Sequence, residues 1–501
     1  MTTTADIKPV DRLMVIDGKD VEAVSGKRYE RSSPAHDVVV GTYPDADTED
    51  VDRAVKAARR AFDDGPWPRM SGADRSAVLL RVAELIRRDA DDLARTEALE
   101  MGKPISQARD EVAATAELWA YAATLARHAY GDAHNMLGDD VLAMVVNEPV
   151  GVVAMITPWN FPLLIISQKL PFALAVGCTA VVKPSELTSG TTVHLTRLLM
   201  ESGLPAGVVN VLTSSGGAGP LLTNHPGINM ISFTGSTQVG RIIARTAGEQ
   251  LKKVELELGG KNPQVVCADA DLDAAVDAVV FGVYFNAGEC CNSGSRVIVE
   301  RSIADDFQAA VVEHARTVPV GDPLDPTTKV GAITSQEQLD TIERYVNEGR
   351  EAGARLLLGG ERMTTPAGRF YHPTIFAGVT PDMSIAREEI FGPVLSMLTF
   401  DTLDQAIQIA NSTAYGLSAG IWTTNINSAL RAARQIHAGT IWVNRWMDGY
   451  PELPFGGVGE SGLGRELGRN AIHEFSETKT IQLQVGPRRA PWLTSHLSQE
   501  H

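Results

Sequence analysis

Four short apolar runs decide the fold: VGVVAMI at 150–156, AVVK at 180–183, VVNVLT at 208–213 and INMISF at 228–233. Each is followed by glycine, proline, serine or threonine and then by a segment of helical character, so each reads as a buried strand ending in a turn. Strands that alternate with helices predict a parallel, doubly wound sheet covered on both faces. Upstream, residues 47–62 and 75–93 carry apolar side chains at helical spacing, with Val51, Val55 and Phe62 on one face of the first and Leu79, Val82, Leu85 and Ile86 on one face of the second. The apolar stretch from Phe161 to Val182 is interrupted by Gln168, Lys169 and Pro171, too early for a bilayer span, and reads as core. Downstream, a second α/β unit is expected from about Gly260 to Gly468, with a helix at 271–284 and a strand at 296–299. TKTIQLQV at 478–485 alternates like a strand and needs a partner sheet, and the Pro-, Arg- and Ser-containing tail beyond it reads as mobile.

The 501 residues, 44% apolar and 21% charged, are enough for about three domain-sized units. A net charge of −17 opposes binding to nucleic acid or an anionic membrane, which leaves a small molecule as the expected partner. Four cysteines, Cys178, Cys267, Cys290 and Cys291, fit neither a disulfide framework nor a CxxC metal site, so a reducing compartment and no metal are expected. The amino-terminal MTTTADIKPVDRLM carries aspartates and lacks the apolar core of a secretory signal, and the expected location is the cytoplasm.

Three segments carry reactive side chains. Cys291 lies in FNAGECCNSGSR at 285–296, on a loop between the expected helix and strand. A cysteine alone is more often a packed thiol, but glycines and small polar residues around it allow a ligand to approach the backbone. Glu257 lies in KVELELGGK at 253–261, where Val254, Leu256 and Leu258 alternate with Glu255 and Glu257. By composition both glutamates read as a solvated face. Yet Glu257 ends the strand beside a Gly-Gly break, where burial would raise its pKa towards that of a general base. Asn160, in TPWNFP at 157–162, follows a strand and is either a turn former or an amide donor at the sheet's carboxyl edge. FTGSTQVG at 233–240 joins a strand to a helix and could bind phosphate at the helix start, although GxGxxG is absent. KPSE at 183–186 is either a solvated turn or a ribose contact, and a carboxylate there would favour NAD over NADP.

Taken in order, TPWNFP, KPSE, FTGSTQVG, LELGGKNP, FNAGECCNSGSR, EEIFGPV (388–394) and PFGGVGESGLGRE (454–466) resemble the aldehyde dehydrogenase superfamily from about Asp47 to Val485. The resemblance implies two doubly wound parallel-sheet domains and a β oligomerisation arm. It divides the chain into a discontinuous cofactor domain (1–128 and 149–259), a catalytic domain (260–470), the arm (129–148 and 476–487) and a tail (488–501). It makes Cys291 the nucleophile, five residues before Arg296, and Glu257 the base, 291 − 257 = 34 residues earlier. Asn160, with the backbone N–H of Cys291, becomes the oxyanion hole. Thr157, Trp159, Lys183, Glu186, Gly235, Ser236, Gly240, Leu258, Glu389 and Phe391 fall on the cofactor site, and Phe161, Gln168, Cys290, Asn292 and Phe455 on the substrate tunnel. The implied cofactor is NAD, with NADP the alternative, and the implied assembly is a homotetramer or homodimer. Glu289, where glutamine is frequent, and Gln168, where tryptophan is frequent, depart from the family pattern.

The chemistry implied is attack of the Cys291 thiolate on an aldehyde, hydride loss from the resulting thiohemiacetal, and hydrolysis of the thioester by water that Glu257 deprotonates. Three rivals remain: a CoA-acylating enzyme, which Glu257 at the base position disfavours; a cysteine hydrolase, which would leave the cofactor motifs idle; and a non-catalytic scaffold, which intact Cys291, Glu257 and Asn160 disfavour. The identity of the aldehyde is not written in any one segment.

Overall fold

In the computed structural model, which describes residues 7–364 and 368–486, the opening runs become neighbouring strands of one eight-stranded sheet. Val209–Val211, Thr179–Lys183, Val152–Ile156, Met230–Thr234 and Lys253–Glu257 lie side by side in that order and run parallel. The winding reverses between Val152–Ile156 and Met230–Thr234, which opens a crevice at their carboxyl ends. Along Val152–Ile156 the side chains alternate: Val153 and Met155 enter one apolar core, Val152 and Ala154 another on the opposite face. Strands buried on both sides explain why these runs are apolar throughout rather than alternating. The edges are antiparallel, formed by Met14–Ile16 and Lys19–Val21 on one side and Gly462–Leu463 on the other.

A second, seven-stranded sheet runs Arg355–Leu358, Thr374–Ala377, Val394–Phe400, Arg296–Glu300, Pro263–Val266, Ser418–Trp422 and Thr440–Val443, with every neighbour parallel except the first pair. Ser476–Gln484 pairs along its whole length with Val141–Pro149, which also carries Asp132–His134, so the terminal strand finds its partner far back in the chain.

The first expected helix is Thr48–Asp63, begun by a capping box in which Asp47 accepts from Glu49 N–H at 3.0 Å and Asp50 answers back. The single helix expected over 75–93 is corrected: Gly72–Arg88 ends and Ala90–Met101 begins at Asp89, whose backbone (φ −98°, ψ 19°) is not helical. The apolar face continues through Leu93 and Ala94 into the same core, so periodicity alone did not reveal the break. Phe161–Val182 is core as expected, a helix Pro162–Val176 followed by a strand. No helix among the described residues is long and apolar enough to cross a membrane. The first six residues and the tail from 487 onward, on which the leader, arm-end and mobile-tail expectations fall, lie outside the described residues.

Candidate active site

Five residues link Glu257, at the carboxyl end of the first sheet, to Pro263, which opens the second sheet at its amino end. The carboxyl edge of one sheet therefore meets the amino edge of the other, and the Cys291 loop, just ahead of Arg296–Glu300, lies at that junction.

The loop is shaped by left-handed backbone at Asn286 (φ 51°), Ala287 (φ 56°) and Gly288 (φ 73°). A side chain on Gly288 would stand 2.2 Å from the Gly392 carbonyl oxygen, so only glycine passes there. Asn286 offsets part of the strain by donating to the carbonyl oxygens of Asn160 (3.2 Å) and Glu289 (3.0 Å). Asn160 itself, 3% exposed, donates through Nδ2 to the Glu289 carbonyl oxygen at 3.1 Å, which puts its amide two residues from the Cys291 sulfur. A residue not foreseen, Asn262, pins the other side of the loop. Its Nδ2 donates to the carbonyl oxygens of Cys291 (2.7 Å) and Ser293 (3.0 Å), while its Oδ1 accepts from Ser418 N–H (3.1 Å). Gly260 permits this approach, since a methyl there would stand 2.6 Å from the Cys291 carbonyl oxygen.

The solvated-face reading of Glu255 and Glu257 is corrected: both are buried, at 1% and 4% exposure. Their strand is covered on both faces, and Glu255 accepts from Ser232 Oγ at 2.6 Å. Glu257 is pushed well above the usual carboxylate range by burial and by Glu466, against Lys169 and a hydrogen bond from Cys291, which lower it. The Cys291 thiol is also raised, by its hydrogen bond with Cys290, by burial and by the facing Glu257 carboxylate. Cys291 is partly exposed, whereas Cys178, Cys267 and Cys290 are buried. Burial raises Cys178 and Cys267 to about 12. Lys169, seen in the sequence only as an interruption of an apolar stretch, forms a buried ion pair with Glu466. A charged residue inside an apolar helix was the available signal for such a partner.

The expected cofactor residues gather around the crevice. Thr157 follows Ile156, its N–H donating to the Lys183 carbonyl oxygen at 3.2 Å and its hydroxyl buried without a partner. Lys183 and Glu186 face each other at 3.5 Å. Gly235 donates its N–H to the Glu257 carbonyl oxygen at 3.1 Å. Ser236 caps the helix Thr237–Glu249, accepting from Val239 N–H at 3.3 Å, and Leu258 packs against Gly240 on its first turn. Glu389 accepts from Gly260 N–H at 3.0 Å and is raised to about 7, by burial first, against the Gly260 N–H and Lys261. Phe391 meets Trp159 edge to face with ring centroids 5.3 Å apart. An orphaned threonine hydroxyl, an open helix start and a pair of carboxylates bordering one crevice fit a dinucleotide's pyrophosphate and ribose hydroxyls.

Of the residues expected at a substrate tunnel, Phe161 and Cys290 form one apolar cluster with Ile165, bordered by Leu164, Phe285 and Met447. The Phe161 ring stacks on Phe285 at 5.9 Å, and the Lys103 ammonium lies 4.1 Å from its centroid. Gln168 is a further turn along the same face as Leu164 and Ile165. Asn292 is half-buried, with a partnerless Oδ1. Phe455 pairs its backbone with Glu466 at 2.8 Å. Trp446, on the loop after Thr440–Val443, is 5% exposed and packs against Trp442 in the core of the second sheet.

A crevice at a strand-order reversal, facing a loop thiol and a buried carboxylate, defines a nucleotide-dependent enzyme with a cysteine at its centre. The model of the aldehyde dehydrogenase family matches residues 21–481, and the chain belongs to that family. It is similar to an NAD-dependent aldehyde dehydrogenase from Sinorhizobium meliloti (52% identity, TM-score 0.96, 97% of each chain covered). It is similar also to betaine aldehyde dehydrogenase from Bacillus subtilis (39% identity, covering 97% of this chain and all of the relative) and to human retinaldehyde dehydrogenase 3 (42%, 93% and 92%). A betaine aldehyde dehydrogenase from Staphylococcus aureus, solved with NAD+, superposes with a TM-score of 0.94 at 35% identity, over 96% of this chain and 99% of that one.

Proposed function

We propose that Cys291, Glu257 and Asn160 carry the reaction of this enzyme, which oxidises an aldehyde to the carboxylic acid with NAD as cofactor. The observation that supports these roles is the convergence on one loop of Cys291, a buried carboxylate whose charge acts on its thiol, and a buried amide. The raised thiol starts protonated and reacts as the thiolate left when its proton passes to solvent. The sulfur then bonds the carbonyl carbon, and the oxygen that becomes an alkoxide is met by the Asn160 amide and the Cys291 N–H. Bound NAD supplies the hydride acceptor and a positive ring charge. The Cys291 thioester that remains is cleaved by a water from which Glu257 removes a proton, and the acid leaves.

Thr157, Trp159, Lys183, Glu186, Gly235, Ser236, Gly240, Leu258, Glu389 and Phe391 are proposed to hold the cofactor. Glu186 beside Lys183 disfavours a 2′-phosphate and so supports NAD over NADP. Phe161, Gln168, Cys290, Asn292 and Phe455 are proposed to border the tunnel. The chain is read as a cofactor domain (1–128, 149–259) and a catalytic domain (260–470), with 129–148 and 476–487 as an arm that joins subunits into a dimer or tetramer. Tyr130, Met136, Leu137 and Leu483, exposed on or beside the three-stranded sheet, support that arm. Four free thiols support a reducing compartment, read as the cytoplasm. The test of the whole reading is a panel of aliphatic, aromatic, amino and sugar-derived aldehydes assayed with NAD and with NADP separately, with product analysis in the presence and absence of CoA. Acid formation with NAD and no CoA requirement is expected.

Asn160→Ala is expected to lower kcat by about 10²-fold, the loss of one oxyanion donor, with the KM for NAD little changed. A KM effect alone would refute the role. Glu389, with its pKa near 7, is protonated below that value and gives up an acceptor for ribose hydroxyls. The KM for NAD should therefore rise as pH falls through about 7, and Glu389→Gln should flatten that profile. An unchanged profile in the variant would remove Glu389 from the cofactor site.

A further inference from the structure

Behind the Cys291 loop, at the amino ends of Pro263–Val266 and Ser418–Trp422, lies a small recess bordered by Lys261, Asn262, Arg296, Thr413, Tyr415 and Ser418. Among the described residues two cations line it and no carboxylate does, and the free room takes a single water-sized or halide-sized particle. Three of its side chains end in buried polar atoms without a hydrogen-bond partner: Lys261 Nζ, Arg296 Nε and Ser418 Oγ. All three can donate. Lys261 is 1% exposed and Arg296 is fully buried. Arg296 spends its two terminal nitrogens on the carbonyl oxygens of Ile409 (3.1 Å) and Ala410 (2.8 Å), neutral acceptors that leave its charge uncompensated.

We propose that this recess is a binding site for one monatomic halide anion, held by Lys261 Nζ, Arg296 Nε and Ser418 Oγ. Buried charges without partners are costly, and burying two like charges side by side is costlier, so the site calls for negative charge. Among the described residues, the carboxylates that act on Lys261 are Glu389 and Glu388, both outside the lining, and each is already engaged. Glu389 accepts from Gly260 N–H, and Glu388 from Tyr345 hydroxyl at 2.8 Å. In keeping with this, burial and the neighbouring Arg296 lower the Lys261 amine to about 7, and a bound anion would restore its proton. The room available excludes phosphate and carboxylate ligands in favour of a halide. The site also adjoins the nucleophile: Asn262, bonded to Ser418 N–H on one side and to the Cys291 carbonyl oxygen on the other, stands between them. Occupancy would stiffen the loop that carries the sulfur.

Crystals of the NAD-bound enzyme grown in sodium bromide are expected to give an anomalous peak between Lys261 Nζ and Arg296 Nε. In solution, decimolar bromide or chloride should raise the Tm of the NAD-bound enzyme by about 2 °C over sodium gluconate of equal ionic strength. Lys261→Met should lose that rise. A water-like density with no anomalous signal overturns the proposal. So does a peak seen only at molar bromide with no change in Tm at decimolar salt, which would mark an adventitious ion only. Should Lys261→Met fail to fold, the diffraction and melting of the unaltered enzyme decide alone. None of these readouts depends on the roles proposed for Cys291, Glu257 or Asn160.

Discussion

Cys291→Ala will abolish NADH formation from every aldehyde, a loss of about 10⁴-fold or more, because the variant has no atom that can bond the carbonyl carbon. The neighbouring thiol cannot substitute. Cys290 is packed into the apolar cluster of Phe161 and Ile165, while Cys291 lies outside that cluster and acts on the Glu257 carboxylate. NAD binding, followed by quenching of protein fluorescence, should survive, since none of the proposed cofactor contacts includes the sulfur. Retained turnover in the variant would end the assignment. Turnover lost together with NAD binding would show only that the fold had been damaged, and Cys291→Ser, which keeps the size of the side chain, separates the two cases.

Glu257→Gln is expected to slow steady-state turnover by about 10³-fold, within the range for a lost general base. Its signature should differ from that of Cys291→Ala. Glutamine keeps the volume of the carboxyl and removes a negative charge that now holds the thiol protonated, so the first turnover can still proceed at alkaline pH. Rapid mixing should then show a burst of NADH of about one equivalent per site, followed by the slow phase, with acyl-enzyme detectable by mass. A uniformly slow reaction without a burst would place Glu257 in the first half-reaction instead, and a CoA-dependent recovery would favour an acyl transfer to thiol over hydrolysis.

Much of the architecture could be read from residue order because the decisive strands are short, β-branched and closed by turn residues: 150–156, 180–183, 208–213 and 228–233 all enter one parallel sheet. The break at Asp89 escaped because both helices share one apolar face and differ only in backbone angle at the joint. The burial of Glu255 escaped because alternation is ambiguous. A strand of alternating apolar and acidic residues looks half-solvated unless it is known that Gly462–Leu463 pairs along its outer edge and that Lys169 supplies a buried cation nearby. Asn262 has no role legible within GGKNP, since its partners, Cys291 and Ser293 on one loop and Ser418 at the start of a strand, are brought together only by the second sheet. Side chains that reach across distant segments leave no local pattern, and the packing of Trp446 beside Trp442 is equally invisible in the residue order.

The pairing of Ser476–Gln484 with Val141–Pro149 ties together segments as far apart as Lys479 and Glu148, 331 residues along the chain. During synthesis the middle strand emerges long before its mate, and the ribosome must add several hundred residues before that edge is covered. The same delay applies to Lys253–Glu257, which waits for Gly462–Leu463. Newly made chains therefore carry two unsatisfied strand edges, one of them with the apolar Val145 and Val146, while hundreds of residues are still to be added, and loss of the last dozen described residues would be felt first as aggregation in the cell rather than as a change in catalysis.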